Sequence, residues 1–239
     1  MSELRPESTA SAGSVLLFGK LSEMRGKNGE GLERLILEKE VLENHKRYLE
    51  RKKLYQSHGF DIDKERKFVL DKAEPLFGDI LEVGTGKGHF ALILAGEGYK
   101  FTSVDVSGEE QSIARLNLRY FGLEDTVDFR IENAGHLSFG DKSFDVIFSI
   151  NTVHHLEDPF KVMDELVRIV SFEGKIVLSD FTKDGFEILD KIHGAEGRIH
   201  KTTKFNLGDI EKHLGHKGFK IDRYESKFQE MLTAYKSIM

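Results

Sequence analysis

Three stretches of the 239-residue chain combine residue types and spacings that can do chemistry. The first is Glu82-Val83-Gly84-Thr85-Gly86-Lys87-Gly88. Alternate glycines let the backbone turn sharply and approach a ligand closely, and a helix starting next aims its N–H groups at that ligand. A dinucleotide-binding turn wants Gly-x-Gly-x-x-Gly; here Gly88 comes one residue early and His89 stands in the third glycine's place. The second is Asp105, 21 residues after Gly84. A carboxylate there can accept from both hydroxyls of a ribose. It would serve any nucleoside cofactor, so alone it does not decide the reaction. The third is the pair His154-His155, within Asn151-Thr152-Val153-His154-His155-Leu156-Glu157-Asp158-Pro159. An unperturbed imidazole, with a pKa of ~6.5, can serve as a base near neutrality.

Other polar residues read more plainly. Glu82 either orients the glycine loop or meets a ligand's ammonium group through water. Asp145 reads as structural. His193, Glu196 and His200 would share a face if Lys183–His200 were helical, as metal ligands do. Gly194 and Gly197 weaken a helix there, so surface or substrate contact is the simpler account, and no metal site is expected.

These residues need elements to hold them. Residues 1–14 read as a frayed tail and Gly19–Gly31 as a flexible loop. Leu32–Tyr55 carries an apolar stripe at helical spacing, and a second helix is predicted from Asp61 to Glu74, stopped by Pro75. The pattern then alternates. Strands are predicted at Ile80–Val83, Phe101–Val106, Val127–Ile131, Phe144–Ile150 and Lys175–Leu178, with helices at Phe90–Ala95, Gln111–Tyr120 and Pro159–Val170. That order implies an α/β fold: a doubly wound, mostly parallel sheet covered on both faces, with ligands at the carboxyl ends of its strands. A further helical region follows Asp180, then a helix at Leu207–Leu214 and a strand at Phe219–Tyr224; Phe228–Ile238 is ambiguous.

From Asp79 to Asp180 the sequence resembles the class I S-adenosylmethionine-dependent methyltransferases, in particular those acting on small molecules. The resemblance rests on the glycine turn, on Glu132-Asn133-Ala134 after the third strand, and on Leu137-Ser138-Phe139 followed by Ser143-Phe144-Asp145. It extends through the loop Asn151–Pro159 and the step Arg168–Lys175, where Phe172-Glu173-Gly174 replaces the usual Lys-Pro-Gly. It implies a seven-stranded Rossmann-like sheet and S-adenosylmethionine as cofactor. Cofactor contacts are implied at Glu82, Gly84, Thr85, Gly86, Gly88, Asp105, Val106, Asn133, Ala134, Ile150 and Asn151, with Asn133 at the adenine edge in place of the family's usual Asp. The loop carrying His154 and His155 would lie between cofactor and acceptor, making these two the catalytic candidates. Residues 1–60 are expected to form a tail, loop and helical cap, with Gly19–Phe60 closing as a lid, and 61–239 the methyltransferase domain.

Composition narrows the reading. With no cysteine, disulfides, thiolate zinc sites and cysteine nucleophiles are excluded. Thirty-five basic against 41 acidic residues, a net charge of −6, argue against nucleic acid as a partner. No apolar run reaches the ~18–20 residues of a membrane span, and a cytoplasmic location is expected. A small organic acceptor is the leading expectation, with a protein or RNA acceptor second. A nicotinamide-dependent dehydrogenase and a non-catalytic cofactor-binding protein remain as alternatives.

Overall fold

The computed structural model describes residues 29–197 and 202–236; the N-terminal tail, most of the Gly19–Gly31 loop and His200 lie outside these. The chain forms two compact units, 1–42 and 43–239. Helix α1 (Gly29–Ser57) begins in the first. The second holds α2 (Ile62–Ala73), β1 (Ile80–Val83), α3 (His89–Gly96), β2 (Phe101–Asp105), α4 (Gly108–Tyr120), β3 (Val127–Ile131), β4 (Phe144–Ile150), α5 (Pro159–Ile169), β5 (Val170–Phe181), α6 (Lys183–Ala195), α7 (Leu207–His216), β6 (Phe219–Glu225) and β7 (Gln229–Lys236).

The helices start where the sequence supplies caps. Asp61 accepts from the N–H groups of Asp63 and Lys64 at 3.1 Å each. Ser107 caps α4 through Glu110 N–H at 3.2 Å, and Asp158 caps α5 through Lys161 N–H at 3.1 Å, with Pro159 in the first turn. Such caps satisfy amides that have no partner within the helix.

The strands form one seven-stranded sheet in the order β3-β2-β1-β4-β5-β7-β6, parallel except for β7. Its central strands are buried on both faces, and their side chains alternate between two cores. Leu81, Val83 and Ile147 pack with Leu166, Leu178 and Leu214 on one side. Ile80, Val146 and Phe148 pack with Leu70, Leu94 and Leu118 on the other. From β1 the chain steps outward to β2 and β3, then returns to β4 on the opposite side. The crevice at the carboxyl ends of β1 and β4 is therefore the switch point where such sheets take ligands.

Two elements depart from the sequence reading. The ambiguous C-terminal stretch is a strand: β7 inserts antiparallel between β5 and β6, burying Met231, Leu232 and Ala234. And β5 begins at Val170 rather than Lys175, so Phe172-Glu173-Gly174 is extended chain rather than a turn. Val170 already pairs with Phe144, and a register shift before Val146 absorbs the irregularity. Gly174 is needed there: a Cβ would come within 2.8 Å of the Asp145 carbonyl oxygen.

Candidate active site

At the switch point lies a cavity of about 730 Å³. The loop after β1 forms its floor. At Gly84 (φ +89°) a Cβ would sit 2.4 Å from Thr152 Oγ1, so only glycine lets the loops after β1 and β4 touch. At Gly86 (φ +49°) a Cβ would meet nothing within 4 Å. Its open side belongs to the cavity, and a side chain there would occupy ligand space. Gly88 differs: it caps α3 and leaves only 2.8 Å between a Cβ and Ala114 Cβ, so it serves the packing of α3 on α4 and is not on the cavity wall.

The other residues singled out from the sequence divide in the same way. Asp105 and Val106 line the cavity. Asp105 accepts from Gly86 N–H through Oδ2 (2.8 Å) and from Ser107 N–H through Oδ1 (2.9 Å), tying the ends of β1 and β2 together. Val106 is 68% exposed, an apolar face left open beside the carboxylate. Ala134, Ile150 and Asn151 reach the wall. Asn133 does not; it is exposed, and its Oδ1 accepts from Gly135 N–H at 2.8 Å. Its neighbour Glu132 takes the place on the wall, held by Ser138. Thr85 also lines the cavity, its hydroxyl within 2.6 Å of Ser103 Oγ and accepting from Gln111 Nε2.

Glu82 is 1% exposed and receives the Ser103 hydroxyl at 2.5 Å. Burial, which disfavours the charged form, pushes its pKa up to about 8; the Ser103 hydrogen bond and nearby Arg66 oppose the shift, while Asp105 adds to it. Its side chain therefore braces the loop and lines the cavity at once.

The sequence reading missed Arg66. Burial pushes its guanidinium down to about 10, against the opposing pull of Tyr55, Asp180, Glu65 and Glu82. Asn151, in the left-handed region at φ +56° just past β4, turns its amide so that Oδ1 accepts from Arg66 Nη2 (2.7 Å) and Nη1 (2.9 Å) while Nδ2 donates to Gln229 (2.7 Å). A signal for Arg66 did exist. It falls at helical spacing among Ile62, Val69, Leu70 and Ala73, the buried positions of α2. His89 was noted only as an interruption of a motif. It lines the cavity, stacks on Tyr48, and is pushed down to about 3 by burial and by Arg66.

The end of the cavity beside the histidine pair has its own walls. Arg51 and Tyr55 from α1, with Phe60, Phe181, Leu189 and His193, surround the space next to His154 and His155. His155 is exposed, whereas His154 is 3% exposed. Its Nδ1 lies 2.6 Å from Asp180 Oδ1, and its backbone N–H donates to Asp180 Oδ2 at 3.0 Å. Helix α6 ends at Ala195 rather than continuing to His200; His193 lies in its last turn, and Glu196 pairs with Arg51 at 3.4 Å. Among the described residues no three potential ligands cluster as a metal site, and no helix is long and apolar enough to cross a membrane.

Comparison with known proteins matches residues 81–178 to the methyltransferase-domain family. The chain is 36% identical to "Methyltransferase GfsG" of Streptomyces halstedii over 56% of its own length and 49% of that protein's. It is 32% identical to the "Ubiquinone biosynthesis O-methyltransferase" of Vibrio parahaemolyticus over 62% of each. It thus spans about half to three-fifths of these curated relatives. Among solved structures, a SAM-dependent methyltransferase from Aquifex aeolicus superposes with a TM-score of 0.55 at 22% identity, covering 71% of this chain and 88% of that one. At that identity the likeness speaks for the fold.

Proposed function

We propose that the chain, whose residues 81–178 match the methyltransferase-domain family, is a class I S-adenosylmethionine-dependent methyltransferase that transfers the methyl group of S-adenosylmethionine to a small organic acceptor. One observation carries the reading: a single cavity at the switch point is lined both by the glycine loop with Asp105 and by His154 with His155. The residues fit the cofactor. Asp105 offers a carboxylate to the ribose hydroxyls, Val106 an open apolar face to the adenine, and the open side of Gly86 room for close approach. Arg66 would meet the carboxylate of the amino-acid end, and Glu82 its ammonium group. The bound cofactor supplies an already activated methyl group. The protein then has to hold acceptor and donor in line and exclude water.

Under this reading 61–239 is the catalytic domain and 1–60 its cap, with Arg51, Tyr55 and Phe60 supplying the part of the cap that lines the cavity. The name of the Vibrio relative supports an oxygen acceptor on a small molecule. The family match favours methyl transfer over a nicotinamide-dependent dehydrogenase, and the aromatic walls of Tyr55, Phe60 and Phe181 support a small-molecule acceptor over a protein or RNA. A cytoplasmic location belongs to the same reading. Calorimetric titration of the full chain with S-adenosylhomocysteine and with NAD tests it. Binding of the first and not of the second is expected; NAD binding without S-adenosylhomocysteine binding overturns it.

A further inference from the structure

Arg51 sets a permanent positive charge among aromatic rings at the end of the cavity beside the histidine pair. Building on the methyltransferase reading, we infer that the acceptor is a planar molecule carrying a carboxylate, that Arg51 binds this carboxylate, and that Glu196 holds the guanidinium until the acceptor arrives.

The geometry leaves the guanidinium only partly used. An arginine offers its N–H donors in a planar fork that matches a carboxylate. Nη2 donates to the Tyr55 hydroxyl at 3.0 Å, and the guanidinium carbon lies 5.2 Å from the centroid of that ring, so Tyr55 sets the direction of the fork. Nη1 donates to Glu196 at 3.4 Å. Between charged groups such a bond is normally about 2.7–2.9 Å, and arginine meets a carboxylate best through two parallel bonds. The Glu196 contact is single and long, and the two side chains keep 23% and 31% of their surface in contact with water. Pairs of that kind contribute little. Glu196 stands just past the end of α6 and off the cavity wall, whereas Arg51 is on it. A ligand carboxylate inside the cavity can therefore exchange one weak contact for a paired one.

The surroundings select the rest of the molecule. Tyr55, Phe60 and Phe181 line the cavity and pack in one apolar cluster with Leu189, the Tyr55–Phe60 and Phe60–Phe181 centroids lying 5.6 and 6.0 Å apart. Such walls suit a flat ring. Charge is divided between the two ends. Among the described residues lining the cavity, the carboxylates Glu82, Asp105, Glu110 and Glu132 come from β1, β2, α4 and the turn after β3. Around Tyr55, Phe60, Phe181 and Leu189 the lining residues include Arg51 and His193 and no carboxylate. An anion placed there would also face the positive sulfonium of the bound cofactor, an attraction that grows where water is excluded. The charge of one guanidinium matches that of one carboxylate, and the group Arg51 holds at present is itself a carboxylate.

The test follows 4-fluorobenzoate and its neutral counterpart 4-fluorobenzamide by their fluorine resonances, each titrated into the full chain saturated with S-adenosylhomocysteine. Wild type is expected to bind the acid about tenfold more tightly than the amide. In Arg51→Gln that preference is expected to disappear while S-adenosylhomocysteine affinity, measured by calorimetry on the same sample, stays within about twofold. Arg51→Lys should recover part of it, because the charge returns without the fork. Glu196→Gln should raise the affinity for the acid about two- to fivefold, since it removes the competing carboxylate. A merely structural tie between Arg51 and Glu196 would lower the melting temperature in both variants and leave the preference where it was. Failure of the acid to bind wild type at millimolar concentration, equal affinities for acid and amide, a preference that survives Arg51→Gln, or weaker binding of the acid in Glu196→Gln overturns the assignment. Loss of S-adenosylhomocysteine in Arg51→Gln as severe as loss of the acid also overturns it, by placing Arg51 on the cofactor. Failure of S-adenosylhomocysteine to bind wild type overturns instead the methyltransferase reading beneath it.

Discussion

Replacing Asp105 with alanine should damage two things at once, and the structure says how to separate them. In the free protein the carboxylate accepts from Gly86 N–H at 2.8 Å and from Ser107 N–H at 2.9 Å, so it staples the glycine loop to the start of α4. Hydrogen bonds to a charged group contribute about 1.5–3 kcal/mol each. Water can reach this half-buried site and replaces part of that, so a stability loss of about 2–3 kcal/mol is expected. For a chain of this size that lowers the melting temperature of the free protein by roughly 4–12 °C. The second effect is on ligand. Loss of the ribose acceptor should weaken S-adenosylhomocysteine by a further ~1.5–3 kcal/mol, roughly tenfold to 150-fold in affinity. Asp105→Asn discriminates between the two. It keeps one carbonyl oxygen for a loop amide but has lost the charge, so stability should fall less than in the alanine variant while affinity still drops. Differential scanning fluorimetry of the free protein reads the first quantity and calorimetry the second. Unchanged affinity in Asp105→Ala, whatever its melting temperature, would place the ribose elsewhere and refute the reasoning.

Glu82 should give stability a specific pH dependence. Its folded pKa lies near 8, above the ordinary 4.5, so the folded state holds a proton that the unfolded chain releases; the stabilisation is complete below 4.5 and is lost as pH rises through about 8. At about 1.4 kcal/mol per pH unit the interval corresponds to several kcal/mol, and Glu82→Gln should gain on wild type by an amount of that order between pH 5 and 9 in urea titrations; parallel curves would show that Glu82 stays ionised throughout. The cap is tested by hydrogen exchange: amides from Gly19 to Phe60 should gain protection with S-adenosylhomocysteine beyond the rest of the domain. Protection confined to the loop after β1, Asp105 and Asn133 would make the extension a fixed buttress.

The two ends of the cavity answer to different physics. At the cofactor end the backbone does the work: Gly84 and Gly86 shape the floor, and the polar side chains there, Thr85, Ser103, Gln111 and Glu82, bind mainly to one another. A network of that kind rigidifies a loop because every donor already has an acceptor. Toward the histidine pair side chains do the work. Arg66 clamps Asn151, which clamps Gln229, which accepts from Ser179 at 2.6 Å. One residue further along β5, Asp180 fixes His154. The strained backbone of Asn151 is thus held from three elements, α2, β5 and β7.

That difference also decides what could be read from the sequence. The glycine turn, Asp105 and the strand ends are local: each is a run of a few residues whose spacing alone dictates a strand, a turn and a helix start, and β1, β3 and β4 fall at the predicted bounds. Val106, Ala134, Ile150 and Asn151 reach the cavity for the same reason, since a parallel sheet brings the ends of neighbouring strands together. Asn133 sits one residue from the wall because the turn after β3 binds its side chain to Gly135, a local choice between two adjacent polar residues that periodicity does not resolve. The end beside the histidine pair is nonlocal. His154 and Asp180 are 26 residues apart and Asn44 and Asn117, which tie α1 to the glycine loop, are 73 apart; no spacing rule relates them before the sheet order is known. Once that order is known, Asp180 ceases to be hidden. It lies one residue from the end of β5, and Asp105 ends β2; the carboxyl ends of neighbouring parallel strands lie side by side, so the partner for a histidine after β4 should be sought at the end of the strand beside it.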